Sequence, residues 1–496
     1  MHQFNKYFLG LLFLCAIQIN ALAQIDSTIL IPNTEPTKTP NPTGINNFNP
    51  DSIRVPLNEK VLHIRKIYMV GNKLTRSAIV FRELPFAEGD SIEILKIPEL
   101  FEKAKTQVMN TSLFHSAEVA ISDIQGTNLD IRIKVKERWY IYPIPYVKLI
   151  DRNLSQWFDK GIGVSRLDYG IKLSYDNMTR NNDKFRFFLI TGYTKQLQLS
   201  YNRPFIDKKM KWGANINLAL GKNHEINFIT QDDKQQFFKD KEGFMRNFFN
   251  GRLELSYRPK LYTRHYFGLT YNTLSIGDTI LKLNPNFLPG GAQSVKYPGL
   301  YYRLLYQNLD YNAYPTDGVA AELYFYKQGF SKSMNVWHLG AKAQKYWHLG
   351  PKSFYNIAAL GALKLPFKQS FYTSPLLGYG DLTLRGYEKY VIDGSAAGMV
   401  NATLFRQLTN FSFKVGFLNW LTDRLIPLKI YGKVFGNAGY VYNNNPGFSN
   451  HFPNRLLMGG GVGFDVWTVN DFTFKFEFSF NHLGQNGVYL QKKTLF

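Results

Sequence analysis

Residues 472–480 read Phe472-Thr473-Phe474-Lys475-Phe476-Glu477-Phe478-Ser479-Phe480. Successive side chains of a strand point to opposite sides, so the phenylalanines share one face while Thr473, Lys475, Glu477 and Ser479 share the other. One face suits oil and the other water. At roughly 3.3 Å per residue, and tilted as barrel strands are, such a strand crosses about the ~25 Å apolar band of an outer membrane. Standing alone, it reads equally well as a half-buried sandwich strand with phenylalanine inward. Its neighbours decide. Across 139–496 there is hardly a helical period, and the alternation recurs at 169–175, 184–190, 197–201, 253–257, 301–306, 320–325 and 430–442. About sixteen such segments, at about 22 residues per strand and connection, predict a mid-sized transmembrane antiparallel β-barrel.

The N-terminal part bounds the compartment. Lys6 precedes an apolar run over 7–17, and Ala21-Leu22-Ala23 offers the small-x-small pattern cleaved before Gln24, so 1–23 read as a signal peptide. Cys15, the single cysteine, lies inside that segment behind bulky Leu14, which argues against lipid attachment and leaves an exported chain without disulfides. Beyond the signal no run of 18 apolar residues occurs, although hydrophobic residues make up 45% of the chain. Membrane residence must then be by closed barrel, the other structure that satisfies every backbone group in lipid. Residues 24–59, rich in Pro, Thr and Asn without an apolar period, read as a disordered linker. The formal charge is +22. Export argues against nucleic acid, and the bases form no single stripe. Outer-membrane lipid phosphates fit this charge, as does plain solvation of lumen and loops.

Residues 60–138 form a distinct unit. The alternating stretch 61–70 predicts a strand closed by Gly71-Asn72. Thr75 is placed to cap a helix through Phe81; Pro85 and Gly89-Asp90 then break the chain. A second helix over 97–109 carries Leu100, Phe101, Ala104 and Val108 at helical spacing, and strands at 117–124 and 129–137 complete a β-α-α-β-β order. The succession Ile67, Gly71-Asn72, Thr75, Ile79, Arg82-Glu83-Leu84, Gly89-Asp90, Leu113-Phe114, Val119, Leu129-Asp130-Ile131 and Val135-Lys136-Glu137 resembles a POTRA (polypeptide-transport-associated) domain. The resemblance implies a periplasmic module that receives unfolded polypeptides by strand addition along 117–124 or 61–70.

One connection, 366–396, is too long for a routine barrel turn and contains Gly378-Tyr379-Gly380-Asp381-Leu382-Thr383-Leu384-Arg385-Gly386-Tyr387. Leu384-Arg385-Gly386-Tyr387 resembles the Val/Leu-Arg-Gly-Tyr/Phe tip of the BamA/TamA superfamily of outer-membrane assembly and translocation proteins, whose longest loop folds into the barrel. An arginine there offers five donors in a fixed fork and can pin the loop to the wall. In that family the acceptor is a lumen-facing Phe-x-Asp-x-Gly; here Phe435-Gly436-Asn437-Ala438-Gly439 stands in its place, with Asn for Asp. A neutral hydrogen bond nets about 0.5–1.5 kcal/mol against about 1.5–3 for a charged one, so another acid is needed for a firm lock. Asp465 is the candidate. In Gly461-Val462-Gly463-Phe464-Asp465-Val466 the apolar Val462, Phe464 and Val466 alternate with Gly461, Gly463 and Asp465, which puts Asp465 on the wet face. Arg385 is therefore expected to meet both Asn437 and Asp465. Gly459-Gly460-Gly461, with no helix or Lys-Ser/Thr after it, reads as room for the folded-in loop rather than a phosphate cradle.

The first barrel strand adds a seam. In Tyr140-Ile141-Tyr142-Pro143-Ile144-Pro145-Tyr146 the two prolines remove donors from one edge, since residues i and i+2 point their N–H groups the same way. Joined to a closing strand over 487–496, this edge makes a weak seam where a client strand can pair instead; prolines belonging only to a linker are the plainer reading. The terminal Phe496 resembles part of the insertion signal of many outer-membrane barrels. The BamA/TamA resemblance implies protein insertion or translocation, with accessory lipoproteins as partners and no cofactor; a lid-gated passive pore and a two-partner-secretion-like translocator are the alternatives. The chain does not read as an enzyme: its histidines are scattered, and no Gly-x-Ser-x-Gly elbow occurs. Trp337-His338-Leu339-Gly340 and Trp347-His348-Leu349-Gly350 read as rim positions of adjacent strands, and the tryptophans as interfacial girdles.

Overall fold

The structure, a computed structural model, describes residues 61–149, 167–192, 194–240, 243–379, 382–413, 426–447, 449–468 and 473–491. The expected signal peptide and linker, together with Trp157, Gly380, Asp381, Trp420, Phe472 and Phe496, lie outside them. The described residues form two compact units, divided between Trp139 and Tyr140.

The smaller unit is a four-stranded sheet with two helices. Its strands run in the order Ser91–Glu93, Val61–Val70, Asn128–Glu137, Phe114–Gln125, with Val61–Val70 parallel to Asn128–Glu137 and the outer pairs antiparallel. Leu62, Ile64, Leu129, Ile131 and Ile133 of the sheet are buried, as are Val80 and Val108 of the helices Ser77–Phe81 and Ile97–Asn110. The three-residue strand Ser91–Glu93 adds an element to the expected order, being too short to carry a readable period. Nor does Thr75 cap the first helix: Arg76 occupies that position, with no capping bond from its side chain. The Thr75 hydroxyl is bonded to Glu137 instead. Its carboxylate accepts the backbone N–H groups of Lys73, Leu74 and Thr75, at 3.2, 3.0 and 2.7 Å, and so satisfies the donors ahead of the helix from a distant strand.

Two carboxylates make this unit acid-sensitive. Arg65 grips Asp130 through Nε and Nη2 at 2.8 and 2.7 Å, a hydrogen-bonded fork that holds the Asp130 carboxyl below its usual range. Burial pulls Glu137 upward, but the bonds from Thr75, Leu74 and Lys73 together outweigh it and leave it lowered. Both groups titrate lower folded than unfolded, so their stabilisation is whole above the unfolded value of about 4 and drains away as pH falls through the folded values. Amide protection factors of 61–139, measured in the full chain, should therefore fall below about pH 4, and Asp130→Asn should flatten that dependence. Unchanged protection down to about pH 2 would contradict this.

The larger unit is a transmembrane β-barrel: one 16-stranded sheet running from Ile141–Leu149 to Asn486–Gln491, with every neighbouring pair antiparallel. The decisive stretch lies in the strand Thr473–Asn481, where Phe478 and Phe480 are exposed on the outer wall and Lys475, Glu477 and Ser479 are buried on the inner one. The same polarity runs round the sheet, with Leu253, Leu269, Leu323, Val400, Val434 and Val462 exposed outside. The Trp-His-Leu-Gly repeats do not lie on adjacent strands. Both belong to Met334–Gly350. Ten residues at about 3.3 Å, tilted by about 45°, separate Trp337 from Trp347 by roughly 23 Å across the bilayer, which suits the two rims of one apolar belt. Trp467 is no girdle residue, since it packs on the inner cluster of Tyr314, Tyr346, Phe354, Phe405 and Tyr431.

Candidate functional site: lid, charge chain and seam

The long connection lies between the strands Ser353–Leu365 and Ala396–Phe413. It carries its own small hairpin, Pro375–Leu377 paired with Ile392–Asp393. Leu376, Leu377, Leu384, Tyr387 and Ile392 are buried against Leu360, Met399, Val441 and Leu457 of four wall strands, so the loop is folded inward as a lid. Its far side is held by a second hairpin, Glu225–Gln231 with Lys234–Lys239. There the Val391 N–H donates to the Asp233 carbonyl at 2.9 Å, and the Asp233 carboxylate accepts the N–H groups of His451 and Phe452.

At the tip, Arg385 lies over the Phe435 ring, 4.0 Å from its centroid. Nη2 donates to Thr403 Oγ1 at 3.1 Å, and Nη1 stands 3.6 Å from Glu477 Oε1. Asn437 does hold the tip, but through the backbone: its Nδ2 donates to the Arg385 carbonyl at 2.9 Å. Asp465 is not a partner of Arg385. It is taken by Lys433 at 2.6 Å and by the Tyr314 hydroxyl at 3.1 Å, and Lys433 also meets Glu477 at 2.6 Å. The expected two-acceptor lock is thus corrected to a chain of charges, Arg385–Glu477–Lys433–Asp465, ending on Tyr314 of the inward turn after Ser294–Leu309.

The rest of the tip is held as closely. The Gly386 N–H donates to Glu388 Oε2 and the Gly386 carbonyl accepts from Asn481, both at 2.8 Å, while Ser479 Oγ donates to Glu388 Oε1 at 2.9 Å. Gly386 has φ +92°, and a Cβ there would stand 2.6 Å from the Phe480 carbonyl oxygen. Gly439 faces Leu384, and a Cβ on Gly459 would stand 2.3 Å from the Arg385 carbonyl oxygen. The glycines of the wall are where the lid's backbone approaches it.

At the sheet's ends, Ile141–Leu149 pairs with Leu167–Asp176 and Asn486–Gln491 with Thr473–Asn481; among the described residues no ladder joins the two end strands. The Asp176 N–H donates to the Tyr140 carbonyl, which makes the even-numbered residues of the first strand those that bond to its neighbour. Pro143 and Pro145 therefore present their missing donors at the free edge.

The barrel shares its fold with CdiB from Escherichia coli. The TM-score is 0.52 at 10% identity, over 86% of this chain and 75% of that one. The chain is also similar to BamA from Haemophilus ducreyi lacking POTRA domains 1–3, with a TM-score of 0.49 at 16% identity over 87% and 83% of the two chains. No family model matches the sequence, and no curated protein matches it.

Leu384, Arg385, Gly386, Tyr387, Phe435, Asn437 and Gly439 are brought together, while Asp465 is reached from Arg385 only through Glu477 and Lys433. Sequence reasoning misses Glu477 and Lys433 as members of the lock. The alternation of 472–480 places Glu477 on the wet face, a signal that points to it; which wet-face carboxylate lies nearest Arg385 depends on cross-strand register.

Proposed function

We propose that this chain resides in the outer membrane and passes polypeptide segments into or across it through the seam between its first and last strands, while the lid keeps the lumen closed. The free proline-bearing edge of Ile141–Leu149 carries this reading, because an edge short of donors pairs weakly and yields to a client strand. The likeness of fold to CdiB is consistent with it. The small unit acts as a POTRA-like receiver on the periplasmic side, and its edge strand Phe114–Gln125, with one neighbour among the described residues, is a better receiving edge than Val61–Val70, which lies inside the sheet. Accessory lipoproteins and outer-membrane lipids complete the partners.

The test pairs single cysteines stepped along Ile141–Leu149 with others along Asn486–Gln491. Disulfide formation in one register should abolish assembly or export of other polypeptides, and a reductant should restore it. A crosslinked barrel that keeps full activity would sink the seam. The lumen-filling lid favours a second reading, a gated passive pore, for which conductance in planar bilayers without any effect of depletion on other barrels is the signature.

A further inference from the structure

Lys195 and Lys222 stand directly opposite each other on the neighbouring strands Thr194–Arg203 and Trp212–Asn223. Both are exposed, and their ammonium groups lie over the same Phe244 ring, at 5.3 and 5.4 Å from its centroid. Neither has a carboxylate partner among the described residues. Like charges directly opposite in an antiparallel pair repel, and one shared aromatic face offsets this only in part. The arrangement is complete when an anion sits between the two.

The ladder beside the lysines identifies the anion's carrier. The next pair on the same face is Leu197 opposite Leu220, both exposed, and the one after is Leu199 opposite Leu218. Two cations thus cap a column of leucines on the outer wall, where the strands leave the apolar belt. Asn247, opposite Lys222 on the next strand and exposed, adds a polar group at the same level. A free inorganic anion has no use for the leucines, whereas a lipid matches both parts. We propose that Lys195 and Lys222 clamp the phosphate of an anionic lipid whose acyl chain lies along Leu197, Leu199, Leu218 and Leu220. This rests on the membrane residence proposed above and adds a specific lipid site to it.

Native mass spectrometry of the full chain released from micelles tests the site, with phosphatidylglycerol, phosphatidylcholine and inorganic phosphate as probes. One phosphatidylglycerol should be retained in preference to phosphatidylcholine. The double variant Lys195→Gln, Lys222→Gln should weaken that retention about tenfold or more, since each basic residue near an anionic surface contributes roughly a factor of five. The double variant Lys195→Arg, Lys222→Arg should keep it. Heat-modifiable gel mobility checks that each variant is folded. Equal retention of both lipids by the native chain, undiminished retention by the glutamine variant, or displacement by millimolar phosphate would overturn the proposal. A chain that binds neither detergent nor lipid would instead overturn the membrane reading itself.

Discussion

Glu477→Ala should release the lid. Among the described residues Glu477 is the carboxylate that meets both Lys433 and Arg385, and its side chain and that of Lys433 are 3% and 2% exposed. Removing it takes from Arg385 its ion-pair partner and leaves Lys433 with Asp465 alone of its two carboxylates. Breaking a buried pair by deleting one partner typically costs about 3–5 kcal/mol. The wall strands are tied by continuous ladders, while the lid tip is tied by a few side-chain bonds, so the tip is the part that yields. Protease cleavage within 382–395 and conductance in planar bilayers should both rise sharply. Glu477→Gln, which keeps the shape and loses the charge, should fall between. A lid as protected in Glu477→Ala as in the native chain would show that the charge chain does not hold it.

Gly459→Ala should displace the same tip from the wall side, with the lid's own sequence intact. The added Cβ would stand 2.3 Å from the Arg385 carbonyl oxygen, against an ordinary contact of about 3.4 Å or more. The obstructing atom is backbone, so no rotamer change relieves the clash. The tip must move by about 1 Å, which breaks the 2.9 Å bond from Asn437. Overpacking of this kind costs about 1–3 kcal/mol, enough to raise the open fraction of the lid roughly 5- to 150-fold. Gly436→Ala is the control: its Cβ enters open space on the outer wall. Conductance should therefore rise in Gly459→Ala and stay unchanged in Gly436→Ala. Equal behaviour of the two would separate the lid from the glycine wall.

How much of this is legible in the chain depends on whether a feature is local. The strand over 61–70, the helix over 97–109 and the alternation of 472–480 rest on periods of two and 3.6, which short windows carry. The prolines two apart on the first strand are local too, and only the neighbouring hydrogen bond from Asp176 to Tyr140 assigns them to the free edge. Thr75 fails as a cap because its own hydroxyl is bonded to the carboxylate of Glu137, 62 residues away in the chain. The Trp-His-Leu-Gly repeats read as two strands because strands usually end within about ten residues. Met334–Gly350 instead runs on for 17, through both repeats.

By itself, the sequence determined that this chain builds an apolar-outside, polar-inside sheet with one over-long Arg-Gly-Tyr loop, because strand alternation and loop length are properties of consecutive residues; the inward fold of that loop was implied by the family resemblance alone. Only the tertiary structure decided which charges meet. Arg385 reaches Glu477 rather than Asp465, and Lys433 stands between those two acids, because cross-strand register sets the order of side chains along the inner wall, and register arises from pairings between residues far apart in the chain.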